Sequence, residues 1–389
     1  MKWILLWMCA FCVFAGEGLD DALKNGKLLL NINFRVEWVD QQRDEDAFAT
    51  TIRSRLGYQS GDWGTLSFLL EFEGLTDLSN DHYNSTQNGQ SQYPVVADPV
   101  DNELNRAQLV WKPAAGNQLI IGRQRLKLDN DRFIGNVGWR QLEQTFDALL
   151  YQNTALNKTT LTVAYLNNAN RIFGANHPSN SDFRLDSFIL HANYAGWDFG
   201  KLSVFAYFFD NVTAPASSHQ DLGFLFSGQV PQGKFFYELS YVTQSDYADG
   251  ADVIDADYLF AGAGYDFNGH KLSANYEVLG GDGTYGFATP FATLHAFNGW
   301  ADLFLNTPPA GIQDLYLKYA GKWGALNALV FYHQFKADSG SATYGDELDV
   351  QVAGKLGKSW TWGAKAALFD RDTYAVDTRK VWFWFTYNY

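Results

Sequence analysis

The sequence predicts an all-β chain, a transmembrane up-and-down antiparallel β-barrel of about 18 strands forming a monomeric pore. Three observations lead there. The first is the ending, Lys380 to Tyr389. In steps of two, Val381, Phe383, Phe385, Tyr387 and Tyr389 form an unbroken apolar and aromatic row, while Lys380, Trp382, Trp384, Thr386 and Asn388 form the other. A period of two with one apolar row is a strand with one face meant for an apolar medium. The second is that short and long connections alternate along the chain. The third is composition: mean hydropathy is −0.23 while aromatic residues make up 16%. Barrels hide their lipid face in alternation, so their average hydropathy looks soluble while aromatics stay plentiful.

The N-terminus reads as a secretory leader. Met1-Lys2 is a short positive start, Trp3 to Phe14 an apolar run, and Val13 and Ala15 are small residues placed for cleavage after Ala15. About 12 apolar residues fall short of the roughly 20 that span a bilayer as a helix. The expected organisation is a leader over 1–15 and one barrel domain over 16–389. Both cysteines, Cys9 and Cys12, fall in the leader. The mature chain then carries no thiol, which excludes disulfides, thiolate metal sites and cysteine nucleophiles. Gly16 to Gly26 is too short to plug a lumen. The whole chain has 29 basic against 43 acidic residues, an acidic balance that argues against nucleic acid as a partner.

Leu28 to Trp38 is the clearest strand, with Leu28, Leu30, Ile32, Phe34, Val36 and Trp38 on one face and Asn31, Asn33, Arg35 and Glu37 on the other. Next, Ile52, Leu56 and Tyr58 oppose Arg53, Arg55 and Gln59, and Leu66, Phe68, Leu70 and Phe72 oppose Ser67, Glu71 and Glu73. Ala107, Leu109 and Trp111 oppose Arg106 and Gln108; Phe146, Ala148 and Leu150 oppose Thr145 and Asp147. The pattern recurs at Leu161/Val163/Tyr165, Leu222/Phe224/Phe226, Phe235/Tyr237/Leu239/Tyr241, Leu272/Ala274/Tyr276/Val278, Leu315/Leu317/Tyr319, Leu348/Val350/Val352 and Trp360 to Leu368. Two segments leave their faces open: Leu119 to Leu126, where both parities mix apolar and polar residues, and Leu202 to Phe209.

Short connections include residues 59–62, 112–117, 195–200, 267–270, 320–323 and 354–358. Long ones include 76–101, 127–139, 167–185, 243–254 and 279–310. Tight turns at one end and long loops at the other describe a membrane barrel with periplasmic turns and extracellular loops. An even strand number returns both termini to the periplasm.

With the apolar face toward lipid, the polar face lines a lumen. Arg35, Arg53, Arg55 and Arg106 lie there, and Arg123, Arg125 and Arg140 belong to the same region with facing undetermined. Guanidinium is always charged and grips carboxylate or phosphate bidentately, so such a row suits an anionic solute. The competing reading is that Glu37, Glu71, Glu73 and Asp147 neutralise these arginines within the wall. Further on, Glu238, Glu277, Asp314, Glu347 and Asp349 share the lumen with Lys271, Lys318 and Lys365, so one wall is basic and the opposite wall acidic. That arrangement predicts a transverse field.

No catalytic constellation is present. Of seven histidines, only His191 and His333 sit on strands at polar parity, and neither accompanies a nucleophile elbow or a metal-ligand pair. Asp246, Asp249, Asp252, Asp255 and Asp257 in one loop, and Asp129 to Asp131 in another, miss calcium-loop spacing. Neither a metal nor a cofactor is expected.

Residues Gly122-Arg123-Gln124 and Asp131 to Asp147, with Arg132-Phe133-Ile134-Gly135-Asn136-Val137-Gly138-Trp139-Arg140, resemble the central motif of the alginate export family of outer-membrane porins. A second stretch, Thr289 to Leu305 with His295-Ala296-Phe297-Asn298-Gly299-Trp300-Ala301-Asp302, resembles another motif of that family, as do Thr307-Pro308-Pro309 and Gln313 to Tyr316. The resemblance spans the mature chain. It implies an eighteen-stranded monomeric barrel whose arginine-rich constriction passes the polyuronate alginate.

The expected function is passive transport of a hydrophilic, anionic solute across a Gram-negative outer membrane, with alginate or a related acidic saccharide foremost. The alternatives are a general porin for small organic acids and, from a different class, a soluble secreted carbohydrate-binding β protein. The pore-lining set is Arg35, Arg53, Arg55, Arg106, Arg123, Arg125, Arg140, Glu37, Glu71 and Asp147. Expected partners are outer-membrane lipid and lipopolysaccharide, the barrel assembly machinery and the solute itself.

Overall fold

The computed structural model describes residues 18–42 and 45–389; the expected leader lies outside the described residues. The alternating segments form eighteen strands: β1 (Lys27–Gln41), β2 (Ala47–Gln59), β3 (Leu66–Asp77), β4 (Asn102–Ala114), β5 (Asn117–Gln124), β6 (Thr145–Asn153), β7 (Thr159–Asn170), β8 (Asp182–Trp197), β9 (Gly200–Phe209), β10 (His219–Gln229), β11 (Phe235–Asp246), β12 (Asp255–Asp266), β13 (His270–Leu279), β14 (Ile312–Trp323), β15 (Leu326–Lys336), β16 (Thr343–Leu356), β17 (Trp360–Arg371) and β18 (Thr378–Asn388). Each pairs antiparallel with the next, and β18 returns to β1 with Phe34 opposite Phe385 and Trp38 opposite Val381. The terminal amide of Tyr389 donates to the Leu30 carbonyl at 3.0 Å, extending the seam. The sheet has no free edge, as backbone in hydrocarbon requires. A short helix, α1 (Gly18–Lys24), precedes β1; the sequence had suggested no helix there.

Parity separates two surfaces. Leu28, Leu56, Leu70, Phe72, Trp111, Leu317 and Phe383 are exposed on the outside, while Asn33, Arg35, Glu37, Arg53, Glu71, Asp349 and Lys380 are buried inside. Exposed aromatics gather beside the tight turns: Trp197 and Phe199 flank the β8–β9 turn, Tyr265 and Phe267 the β12–β13 turn, and Trp323 the β14–β15 turn. That is the aromatic girdle of a membrane interface. An apolar belt around a charged interior is the reverse of a soluble β protein, so the soluble carbohydrate-binding alternative fails.

The interior is not open along its length. Segments 125–144 (between β5 and β6) and 280–311 (between β13 and β14) fold inward, and Phe133, Ile134, Phe287, Phe291, Trp300 and Phe304 join one buried cluster with wall residues Phe146, Leu166, Phe205, Phe335 and Phe369. This explains where parity misled. On β6 the expected lipid-facing row Phe146, Ala148 and Leu150 points inward, with Phe146 at 0% exposure, while Leu149 on the opposite parity is 43% exposed. The inner wall is apolar there because it packs on an inward loop and not on water. The same cause settles β9, where Phe205, Tyr207 and Phe209 face in and Val204 faces out.

Leu70→Arg, on the lipid face, is expected to lower folding stability by roughly 2–4 kcal/mol if near the bilayer midplane. Gln108→Arg, at inward parity on β4, should assemble like the parent. Denaturant titration of protein refolded into vesicles checks this; equal losses at both positions would mean the faces are reversed.

Candidate functional site

The arginines expected at the lumen fall into three groups. Arg35, Arg53, Arg55 and Arg140 are buried. Arg35 lies 3.7 Å from Asp98 and 4.3 Å from the Trp139 ring centre. Arg53 donates to the Gln141 carbonyl at 3.1 Å and also to Asn31. Arg55 pairs with Glu73 at 2.5 Å and Glu143 at 3.4 Å. Arg140 binds Glu37 and Asp302, each at 3.0 Å, and lies 3.7 Å from Asp98. These four fasten segment 125–144 to the wall and do not face open lumen.

Arg106 and Arg125 form the second group. Arg106 holds Glu71 bidentately at 2.9 and 2.8 Å. The Arg125 Nε reaches both Glu143 oxygens at 2.6 and 2.7 Å, and its Nη2 lies 3.6 Å from Glu71. Their exposure is unequal to that of their partners: the Arg106 and Arg125 side chains are 15% and 31% exposed, but Glu71 and Glu143 only 6% and 1%. Burial pushes the Glu143 carboxyl up, but Arg55 and Arg125 overcome it and hold it at about 2. Glu143 is therefore a buried anion paired with a partly exposed arginine side chain.

Arg123 and Asp147 are a correction to the expected set. They pair bidentately at 2.8 and 3.0 Å and stand opposite each other in the β5–β6 register, on the face that carries Ile121 and Leu149. Since Phe146 and Gln124 point in, this pair belongs to the outer face. For Asp147 the cause is the inward apolar row of β6; for Arg123, on β5, alternation had left the facing open.

The two inward segments carry both family-like motifs. Segment 125–144 leaves the wall after Gln124 and makes its turns at Asp129, Asp131 and Val137, all with positive φ. It is hydrogen-bonded to the other segment: the Gly135 amide donates to the Phe291 carbonyl at 2.8 Å and the Thr293 amide to the Asp131 carbonyl at 2.9 Å. A Cβ at Gly135 would come within 2.2 Å of the Thr293 hydroxyl, so only glycine permits this approach.

Segment 280–311 is anchored on the wall that the sequence marked as acidic. Asn298 Nδ2 donates to Glu277 at 3.0 Å and Asp314 at 3.3 Å; the Trp300 and Ala301 amides donate to Asp349 and Glu347 at 3.1 and 2.7 Å. Arg132 reaches across from segment 125–144 to Glu277 at 2.8 Å. Asp302 accepts from His295 at 2.6 Å and pairs with Lys380 at 2.9 Å as well as Arg140. Lys365 sits 3.8 Å from the ring centres of both Trp139 and Trp300, with its ammonium 2.8 Å from His295. The acids thus hold a loop and are covered by it, so the expected transverse field across an open lumen does not arise. Sequence reasoning assigned these charges to the interior but missed that backbone amides of a loop consume them; Asn298-Gly299-Trp300 was the available signal, because Gly299 (φ 84°) leaves no room for a Cβ beside Glu347. His191 and His333 are satisfied by Asp129 and Asp314, each at 2.9 Å.

No protein-family model matches the chain, and no curated protein is similar enough in sequence to match. The resemblance to the alginate export family therefore gains no support there. Solved structures do match in fold. Pseudomonas aeruginosa OccK3 (OpdO) is similar at 16% identity over 96% of this chain and 98% of that chain, with a TM-score of 0.70. P. aeruginosa OccK9 (OpdG) gives 16% identity over 94% and 99% with a TM-score of 0.72. Acinetobacter baumannii OccAB2 gives 18% identity over 95% and 99% with a TM-score of 0.72. These are outer-membrane porin structures, and at such identities the likeness is one of fold. Together with the apolar belt it gives a closed eighteen-stranded barrel built to stand in a membrane.

Arg140→Ala would leave Glu37 and Asp302 without their shared buried cation. Removing one partner of a buried pair costs about 3–5 kcal/mol. The inward segments should then detach while the barrel persists. Single-channel recording should show a larger, noisier conductance, and limited proteolysis should cut within 280–311. Parent-like conductance and protection would mean that Arg140 does not hold the segments.

Proposed function

We propose that the chain is an outer-membrane channel through which small hydrophilic anions, organic acids among them, diffuse passively. The observation that carries this reading is the asymmetry at Arg106 and Arg125: their side chains keep more exposure than the Glu71 and Glu143 carboxylates they pair with. A solute passing this constriction meets positive charge although the local count of acids and bases is balanced. Guanidinium also presents the paired donors that a carboxylate accepts. Within the anionic class, small acids are favoured over an alginate chain, because segments 125–144 and 280–311 both enter the lumen and pack into one cluster. Arg35, Arg53, Arg55 and Arg140 serve the path indirectly, by fixing segment 125–144 against the wall.

Reversal potentials in planar bilayers test this. The wild type should favour chloride over potassium, and the preference should shrink in 1 M salt, where the Debye length is about 3 Å. Arg106→Gln with Arg125→Gln should abolish the preference, with heat-modifiable migration showing that the barrel has assembled. A cation-selective wild type would overturn the reading.

A further inference from the structure

Along β9 to β15 the lumen holds a cavity of 880 Å³ away from the arginine network, within the range of about 300–1,000 Å³ usual for small-molecule sites. Two inward rows of the wall meet there in register. Lys201, Ser227, Glu238, Gly262, Asn275 and Tyr316 stand opposite one another across β9 to β14. The next inward row toward the tight turns is Phe236, Gly264, Ser273, Lys318 and Phe331, across β11 to β15. The two glycines decide how the aromatic rings sit. A Cβ on Gly264 would come within 2.4 Å of Phe236 Cζ, and one on Gly262 within 3.1 Å of Phe260 Cε1 and Cζ. Phe236 therefore leans across from β11 over Gly264, and Phe260 leans along β12 over Gly262. A side chain at Gly264 would push the Phe236 ring off the wall. Both rings line the cavity and are half-buried, so each rests one face on the backbone and turns the other to the lumen.

The charged groups around these rings balance. Lys201 acts on both Glu238 and Asp129, and Lys318 on Glu238. Lys271 stands opposite Asp266 in the β12–β13 register. Asp198 lines the cavity at the β8–β9 turn, and Glu277 is paired with Arg132 at 2.8 Å. Neither sign dominates, so charge does not choose the solute here. The wall offers donors and acceptors side by side instead. Asn275 donates to the Ser273 hydroxyl at 3.1 Å and turns its amide oxygen toward Gly262. Asn130 on the inward segment donates to Glu238 at 3.3 Å. The Lys271 ammonium stands 5.6 Å from the Phe236 ring centre, a donor beside that ring.

We propose that this wall is a binding track for an uncharged saccharide, held by the Phe236 and Phe260 ring faces and by the polar row between them. A pyranose ring has a face of weakly positive C–H groups, which lies on the negative face of a phenyl ring. Its rim carries hydroxyls, each both donor and acceptor, which suits a row that mixes ammonium, carboxylate, amide and hydroxyl. An anion would use the lysines and be opposed by the acids. An apolar solute would cover the polar row and leave its groups unpaired. Gly262 and Gly264 are two residues apart, about 7 Å along the strand, so the two rings serve successive sugar units. The proposal goes beyond anion diffusion and requires only that the barrel conducts.

The test uses the full barrel in planar bilayers. Maltotriose, a neutral trisaccharide, should interrupt the ion current in a saturable way. A polyethylene glycol of equal hydrodynamic size, which has no pyranose face, should not. Because the solute carries no charge, the half-blocking concentration should be the same at low salt and at 1 M. Phe236→Leu with Phe260→Leu keeps apolar bulk but removes the ring faces, and should raise the half-blocking concentration about tenfold. Phe236→Tyr with Phe260→Tyr should retain the block. If the double leucine variant does not assemble, Phe236→Leu alone carries the comparison. Block by the glycol as strong as by the sugar, parent-like block in the leucine variant, or a block that 1 M salt abolishes would overturn the site. The two readings fail separately. An anion-selective wild type that maltotriose does not block sinks the saccharide track alone; a cation-selective one that it does block sinks the arginine constriction alone.

Discussion

Closure of the sheet between β1 and β18 is the constraint on which everything else in this molecule depends. Hydrocarbon offers no partner to a free amide or carbonyl, so the ladder must run unbroken from Phe34 opposite Phe385 around to the start. Once closed, parity has only two meanings, outside and inside. The outside row can be satisfied with Leu, Val and aromatic residues alone. The inside row faces a volume too wide for eighteen strands' side chains to fill, and the chain occupies part of it with two of its own loops.

Filling a lumen with loops creates a second problem, because loops carry unpaired backbone groups and their own polar side chains. The solution differs on the two walls. On the β1–β4 side the wall supplies arginines and acids together, and Arg140 on the loop completes a buried ionic set with Glu37, Asp98 and Asp302. On the β13–β16 side the wall supplies acids, and the loop answers with backbone amides and Asn298. Buried charge here acts as registration: it fixes where the loops sit, at the expense of desolvation. What remains accessible beside Arg106 and Arg125 is one-sided, because those side chains keep more exposure than Glu71 and Glu143.

Much of this was legible in the sequence. Strand number, the outer rows of β1, β3, β11, β14 and β18, and the basic early wall follow from alternation, which lipid enforces strictly on one face. The inner face is under no such rule. Where a loop covers it, apolar residues are as suitable inside as outside, and the β6 row of Phe146, Ala148 and Leu150 was read outward for that reason; Asp147 was placed on the wrong side with it, and Arg123, whose facing alternation left open, pairs with it on the outer face. The motifs around Arg132 to Arg140 and His295 to Asp302 were visible as special, but not their mutual contact, since Gly135 to Phe291 is a pairing between segments far apart in the chain. Nor could spacing distinguish Arg125, which meets water, from Arg53, which a loop carbonyl covers.

The central claim is that the accessible lumen beside Arg106 and Arg125 is water-filled and positive despite an acidic chain. Cys9 and Cys12 are the chain's two cysteines and both lie in the expected leader, so Gln108→Cys, two residues along β4 from Arg106, would place a reporting thiol in the lumen. Its modification rates with negatively and positively charged methanethiosulfonates of equal size measure the local potential directly. The account predicts faster reaction with the anionic reagent, a difference that salt diminishes. Faster reaction with the cationic reagent, or no reaction with either, would contradict it.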